Sequence, residues 1–444
     1  MSERDFIRRA AVIDQFGNRH HLRSEMARGG QGVVYRTADQ DLAIKQPLRA
    51  DGEIDRHSEL QDRFQNIRCL PLPPSIPIAL PLATLREEPG YVMSLLSGME
   101  PLSTFDLDSA ARNKLADEPI PEWLSGVGEQ GTALTLLHYS SSGSTKRRLL
   151  ALAKAAAILA RLHAAGLVYG DVSPNNCFMS ASDSADIWLI DADNLRFEVV
   201  RGGGSVYTPR YGAPEIVQGL DCSRPRTDCW AFAVMAFEIL SLVHPFVGRK
   251  VLNPDDDESG WAAESATEAA SADPDDQAFA GFLPFVDDEV DGSNRAMTGL
   301  PRELVLTPRI TRLFQETLGI GRTTPWRRPA MAFWALELAR AYDQSIACPD
   351  CAMSYFMDRA LCPYCGSPRP AVAIATTGRW QKTLQPIGAA LELPNRLFHP
   401  FSLEMNDRAE YEAVVDVRAQ SATHERGTPS LPPGLAFRFL EAGP

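Results

Sequence analysis

Three side chains at short intervals suit work on a phosphate and a metal ion. Asp171 stands in Tyr169-Gly-Asp-Val-Ser-Pro-Asn-Asn176, Asn176 lies five residues on, and Asp191 follows Asp171 by twenty. A carboxylate in the first position can take a proton from a hydroxyl nucleophile, while a carboxylate and an amide in the others can hold Mg²⁺, a hard ion that prefers oxygen. Singly, each of these residues more often caps a turn. They gain weight from Ala27-Arg-Gly-Gly-Gln-Gly-Val-Val-Tyr35 and from the lysine of Leu42-Ala-Ile-Lys45 upstream. Gly29, Gly30 and Gly32 leave the backbone free of Cβ atoms, so its N–H groups can lie against phosphates, and Lys45 supplies a fixed cation nearby.

The elements that must position these residues read as strands first and helices afterwards. Val33-Val-Tyr-Arg, Asp41-Leu-Ala-Ile-Lys45 and Tyr91-Val-Met-Ser-Leu-Leu are β-prone. Between them Glu53 to Ile67 lacks Gly and Pro and spaces Leu60, Phe64 and Ile67 as a helix does. A strand follows the glycine loop, which excludes the Rossmann and P-loop arrangements, since both need a helix there. Lys146 to Ala165 is an Ala/Leu-rich helix closed by Gly166; Thr227 to Leu242 is apolar almost all round and predicts a buried helix; Ala330 to Tyr342 is a third. Residues 253–292, rich in Asp, Ala, Ser and Gly, read as a flexible acidic insertion on the surface. After Arg369 the chain returns to β-like segments, such as Leu391 to Leu403 and Tyr411 to Val417.

At 444 residues two or three domains are expected. The net charge of −13 disfavours nucleic acid and acidic membranes as partners. The first residues carry mixed charges and no apolar run, and the stretch from Leu149 to Ala165 is broken by Lys154, Arg161 and His163. A cytoplasmic protein without membrane association is therefore expected. Cys348-Pro-Asp-Cys351 and Cys362-Pro-Tyr-Cys365 are two CxxC pairs ten residues apart. Four thiolates on two tight turns satisfy tetrahedral Zn²⁺ and close its shell, which predicts a structural zinc ribbon.

Taken in order, these motifs resemble those of the eukaryotic-like (Hanks-type) serine/threonine protein kinases, in particular atypical bacterial members with a C-terminal zinc ribbon. The resemblance covers about residues 20 to 342. It implies an α+β, bilobal kinase fold with an N-lobe over 1–100 and a C-lobe over 101–345. A zinc ribbon over 346–369 and a β-rich module over 370–444 follow. ATP, Mg²⁺ and Zn²⁺ are the implied cofactors. Lys45 matches the strand lysine, Asp171 the catalytic base, Asn176 and Asp191 the magnesium ligands, and Thr208 the threonine that supports the base in Ser/Thr kinases. Glu59 is the implied helix partner of Lys45, with Glu53 the alternative. Val34, Ala43, Met93, Leu95 and Phe178 are implied to line the nucleotide site beside the glycines. Ala213-Pro-Glu215 matches the APE triplet, Asp228 the aspartate that braces the catalytic loop, and Arg328 the late arginine that pairs with Glu215. A protein substrate is implied, and such kinases often accompany a metal-dependent protein phosphatase and a von Willebrand A-like protein. A pseudokinase scaffold that binds ATP without transfer and a small-molecule kinase are the alternatives.

Four departures from the pattern stand out. Ala27 replaces the first loop glycine, Ser173 replaces the lysine beside the transferred phosphate, and Ala192 leaves Asp191-Ala-Asp193 without the usual Phe-Gly. Tyr169-Gly170 replaces His-Arg, and Tyr169 is expected to fill the space that Ala192 leaves. The missing arginine normally reads a phosphorylated activation loop through a charge-assisted pair. Activity is therefore predicted without phosphate on Ser205, Tyr207 or Thr208. Phosphosite mapping of the active protein tests this, and obligatory stoichiometric phosphate on that loop would refute it.

Overall fold

A computed structural model describes residues 11–29, 32–198, 207–253, 273–377 and 380–385, together with strands at 390–392, 412–416, 421–425 and 436–440. The chain forms two compact units that interleave in sequence: Met1–Thr104, Ala151–Gly299 and Thr311–Ala335 in the first, and Phe105–Leu150, Leu300–Ile310 and Leu336–Pro444 in the second.

The first unit opens with strands β1 (Ala11–Ile13), β2 (Arg19–Gly29), β3 (Gly32–Thr37), β4 (Leu42–Pro47), β5 (Ala83–Thr84) and β6 (Tyr91–Ser94), in a sheet ordered β1-β2-β3-β4-β6-β5. Side chains alternate across a strand, so Ile44 and Lys45 face opposite ways. Ile44 joins Leu22, Leu85 and Val92 in one core cluster, while Lys45 stands opposite Val34 and Tyr91 in register. Two glycines hold this strand close: a Cβ on Gly32 would lie 2.9 Å from the Gln46 carbonyl oxygen, and one on Gly90 would lie 2.7 Å from that of Lys45.

Helix α1 (Ser58–Arg68) buries Phe64 and Ile67 as its spacing predicts, with Phe64 packed edge-on against Tyr91. It starts five residues later than Glu53, because the chain first turns at Arg49–Gly52 and Ile54 bridges Leu48. Strand β7 (Met99–Pro101) pairs elsewhere, in a sheet described below.

Next in the chain come α2 (Ser109–Ala116) and α3 (Gln130–Ser141), which belong to the second unit, and α4 (Ser144–Ala164). Gly166, at φ +75°, ends α4 as expected. Small sheets follow: β8 (Leu167–Val168) with β11 (Arg196–Phe197), and β10 (Ile187–Leu189), β9 (Cys177–Ser180) and β7 in that order. Helix α5 (Pro225–Ser241) is buried nearly all round, as its composition predicts. Helix α6 (Met331–Gln344) carries Trp334, whose ring meets Phe232 and Phe314.

The flexible insertion expected over 253–292 is corrected over its second half. Residues 254–272 lie outside the described set, but 273–286 are anchored by buried Ala278, Phe285 and Val286, while 289–292 are exposed. Asp273 caps the short helix Pro274–Phe279, Phe285 and Val286 are buried, and Phe237 stacks edge-on with Phe285. Phe279, against His244, and Phe285, against Phe237, outweigh the acidic composition because they remove large apolar areas from water, whereas Phe282 is exposed.

In the second unit, Arg148 is fully buried. Its guanidinium lies over the rings of Phe105 and Tyr139 and donates to the carbonyls of Tyr139, Ser144 and Phe105. Strands β12 (Ser345–Ala347) and β13 (Ser354–Phe356) form a hairpin. Two three-stranded antiparallel sheets complete the unit: β15 (Trp380–Leu384), β14 (Val372–Thr377) and β19 (Ala436–Leu440), then β16 (Ala390–Glu392), β17 (Glu412–Asp416) and β18 (Ser421–Glu425). The expected β-like segment Tyr411–Val417 contains β17, whereas most of Leu391–Leu403 lies outside the described residues. Among the described residues no helix is long and apolar enough to cross a membrane.

Candidate active site and metal centre

The site of the first unit is assembled on Asp228, buried on α5. Its carboxylate accepts from the backbone N–H groups of Tyr169 (2.8 Å) and Gly170 (2.9 Å) and meets His163 Nε2 at 2.9 Å. A buried carboxylate needs this number of partners, and here they fix the loop that carries Asp171. Gly170 sits at φ +84°, a conformation that suits glycine.

Asp171 is 5% exposed and both of its oxygens are engaged. Thr208 Oγ1 donates to Oδ1 at 2.7 Å, and Asn176 Nδ2 donates to Oδ2 at 3.0 Å and to the Asp171 carbonyl at 2.9 Å. The hydroxyl of buried Tyr169 donates to the Ile190 carbonyl, which aims the ring at the turn containing Ala192. Ser173 is buried.

Asp191 adopts a left-handed backbone, φ 55° and ψ 57°. Such a conformation costs a non-glycine residue roughly 1–2 kcal/mol and persists where its surroundings demand it. Burial pushes the Asp191 carboxyl up to about 6; Lys45 opposes that rise, and Asp193 and Asp171 add to it by repulsion. The Lys45 ammonium is bonded to Asp191 Oδ1 and lies 2.7 Å from Asp193 Oδ2. Burial works against its charge, but the Asp193 and Asp191 carboxylates outweigh burial and raise its pKa above the ordinary lysine value. Asp193 also accepts from the Tyr91 hydroxyl at 2.7 Å. Burial alone would raise its carboxyl; Lys45 and Tyr91 hold it below the usual carboxylate range.

The implied partner of Lys45 is corrected. Glu59 lies exposed in the first turn of α1 and Glu53 is exposed before it. Among the described residues the ion pairs of Lys45 go to Asp191 and Asp193. The side chain that α1 does send toward the site is Arg63, which donates to the Asp193 carbonyl (2.8 Å) and to Asn194 Oδ1 (2.7 Å). Asp193, Tyr91, Arg63 and His163 are thus site residues absent from the sequence expectations. The double aspartate of Asp191-Ala-Asp193 was the one visible signal.

The residues expected around a nucleotide divide by strand. Gly29 pairs with Gly32 at the end of the β2–β3 hairpin, and Gly30 lies outside the described residues. Val34 stands opposite Lys45 and Ala43 opposite Met93, while the Leu95 amide donates to the Asp41 carbonyl. Phe178, on β9, is half-buried opposite Trp188. Arg328 and Glu215 form the expected pair, bidentate at 2.6 and 2.8 Å, with the guanidinium fully buried over Trp230. The charges near Lys45 fit a divalent cation. Buried Asp171 and half-buried Asp191 and Asp193 lie beside a single ammonium, which leaves negative charge uncompensated.

In the second unit the Sγ atoms of Cys348, Cys351, Cys362 and Cys365 lie within 4.8 Å of one another. Cys348 and Cys365 are 3.5 Å apart and Cys351 and Cys362 3.7 Å. A tetrahedron with Zn–S bonds of 2.3 Å has sulfur–sulfur edges of about 3.8 Å, so the four thiols fit zinc. Gly366 turns the second knuckle at φ +75°, as expected, and Ala352 turns the first at φ +58°.

Residues 129–277 match the family model of the protein kinase domain. That span holds Asp171, Asn176, Asp191, Thr208 and Asp228, while Lys45 and the cysteine pairs lie outside it. The chain is 33% identical over 99 residues to the serine/threonine-protein kinase PknL of Mycobacterium tuberculosis, covering 21% of this chain and 24% of that protein. It is 33% identical over 90 residues to the death-associated protein kinase dapk-1 of Caenorhabditis elegans, covering 20% of this chain and 6% of that protein. It is 36% identical over 90 residues to the G2-specific protein kinase fin1 of Schizosaccharomyces pombe, covering 19% and 12%. The chain therefore spans about a quarter or less of the length of these curated relatives. Residues 129–277 are thus similar to a protein kinase domain, and the matched relatives are protein kinases; the chain has mixed α+β structure and continues into a four-cysteine cluster.

Proposed function

We propose that this protein is a cytoplasmic, ATP- and Mg²⁺-dependent protein kinase that phosphorylates serine or threonine hydroxyls through a non-standard catalytic loop. The observation that carries this reading is the 2.7 Å bond from Thr208 to Asp171, with Asn176 on the other carboxylate oxygen. An aspartate that only capped a turn has no need of a threonine from 37 residues away. Held on two sides, Asp171 presents a base in one orientation to an incoming hydroxyl, and in-line transfer depends on such positioning.

Lys45 would bind the phosphates, with Val34, Ala43, Met93, Leu95 and Phe178 flanking the base. Asp191 and Asn176 would hold Mg²⁺, which when bound neutralises charge on the transferred phosphoryl group. The four cysteines would hold a structural Zn²⁺. We retain 1–100, 101–345, 346–369 and 370–444 as the functional division. A protein substrate, a metal-dependent protein phosphatase and a von Willebrand A-like protein are the proposed partners, the last two by resemblance alone.

The test is incubation of the purified chain with labelled ATP, Mg²⁺ and bacterial lysate, followed by phosphoamino-acid analysis. Label on phosphoserine or phosphothreonine is expected. Label only on phosphotyrosine or on small molecules would overturn the acceptor assignment, and Mg·ATP binding without transfer would favour the pseudokinase alternative.

A further inference from the structure

We propose that Asp193 is the positioning residue for Lys45, in the role that a carboxylate of helix α1 was expected to fill. The inference rests on the kinase reading of this site. Lys45 and Asp193 meet at 2.7 Å, with side chains only 8% and 12% exposed, so the pair is shielded from water and its geometry is defined. Each oxygen of Asp193 has its own partner, Lys45 on Oδ2 and the Tyr91 hydroxyl on Oδ1. Tyr91 stands opposite Lys45 on the adjoining strand, so one carboxylate ties two neighbouring strands to the turn after β10.

Two further observations point the same way. Asp191, the other partner of Lys45, is the carboxylate assigned to the metal, so a lasting partner for the lysine has to be a different group. The link from α1 is also reversed in sign. The helix sends a cation, Arg63, to the Asp193 carbonyl and to Asn194, and leaves Glu59 in solvent. Lys45 is thereby aligned by the same turn that presents Asp191, independently of any acid on α1.

The experiment compares kcat/KM for ATP and directly measured Mg·ATP affinity in the full chain and in Asp193→Asn, Asp193→Glu, Tyr91→Phe and Glu59→Gln. Asp193→Asn keeps an acceptor for Tyr91 and leaves Lys45 its bond to Asp191, so no buried charge is stranded and the fold is expected to hold. Loss of a charged hydrogen bond predicts a fall of about ten- to a hundredfold in kcat/KM for Asp193→Asn. Asp193→Glu, which restores the charge, should recover part of that loss. Tyr91→Phe, a milder change, should shift both parameters in the same direction. Glu59→Gln should stay within about twofold, as surface changes usually do. Wild-type behaviour of Asp193→Asn and Tyr91→Phe, or a loss in Glu59→Gln as large as that in Asp193→Asn, would overturn the proposal. If the wild-type chain binds Mg·ATP but transfers nothing, while Asp193→Asn weakens that binding, the kinase reading fails and this inference stands.

Discussion

Asp171→Asn is expected to lower the rate of phosphoryl transfer at saturating ATP by about 10²- to 10⁴-fold, the range for loss of a positioned general base. Asparagine has the shape of aspartate, and its amide can still pair with both Thr208 and Asn176, so the loop that Asp228 secures keeps its form. What disappears is the oxygen that can take a proton. An amide nitrogen turned toward Asn176 Nδ2 would face another donor, whereas the Thr208 hydroxyl can accept as well as donate, which favours the rotamer that keeps the oxygen on Asn176 and the nitrogen on Thr208. Mg·ATP affinity should therefore stay close to wild type, because Lys45 and the Asp191 turn are untouched. Single-turnover transfer and calorimetric affinity for Mg·ATP separate the two effects. Transfer within about twofold of wild type would remove Asp171 from the chemistry, since a factor of two is only about 0.4 kcal/mol of barrier.

The parts of this site that were legible in the sequence were those encoded over short spans. Lys45 could be placed because a strand alternates its faces, and Asp171, Asn176 and Thr208 because their order and spacing match a known set. The partner of Lys45 was not legible. Its two carboxylates lie 146 and 148 positions away, and which acid reaches a lysine across a fold depends on backbone geometry that local pattern does not carry. Family position pointed to α1, yet that helix starts later than its pattern suggested and turns Glu59 outward. A similar conflict arose at 273–292, where acidic composition suggested a solvated arm. Caps at Asp273 and Asp291 place those charges at helix starts, while Phe285 and Val286 fill the core. Composition averages over both kinds of residue; burial separates them. Even the two knuckles differ in legibility, since Gly366 advertises its turn and Ala352 does not.

Removing zinc should cost the second unit far more than the ribbon itself. Binding to four cysteines is worth on the order of 10 kcal/mol at neutral pH, and that energy is folding energy wherever the site is formed only in the folded state. The ribbon is hydrogen-bonded to the α3–α4 junction at several points. Ser140 Oγ donates to the Cys351 carbonyl at 2.9 Å, and the Ser354 amide donates to Ser144 Oγ at 2.9 Å. The Lys146 amide donates to Ser354 Oγ at 2.7 Å, and the Lys146 ammonium reaches the Ser345 carbonyl at 2.9 Å. Ser140, Ser144, Ser345 and Ser354 are all buried, so unfolding of the ribbon strands their partners without water nearby. Chelation, or Cys351→Ser, is therefore expected to raise amide exchange in α3 and the first turns of α4 as well as in the knuckles, and to lower the melting temperature of the second unit. Each of the four cysteines should matter about equally, because a closed tetrahedral shell has no spare position. Metal analysis of the purified chain should give one zinc per chain. Absence of zinc, or a chelated protein with unchanged melting and unchanged exchange at the α3–α4 junction, would show that the cysteines do not hold this unit together through a metal.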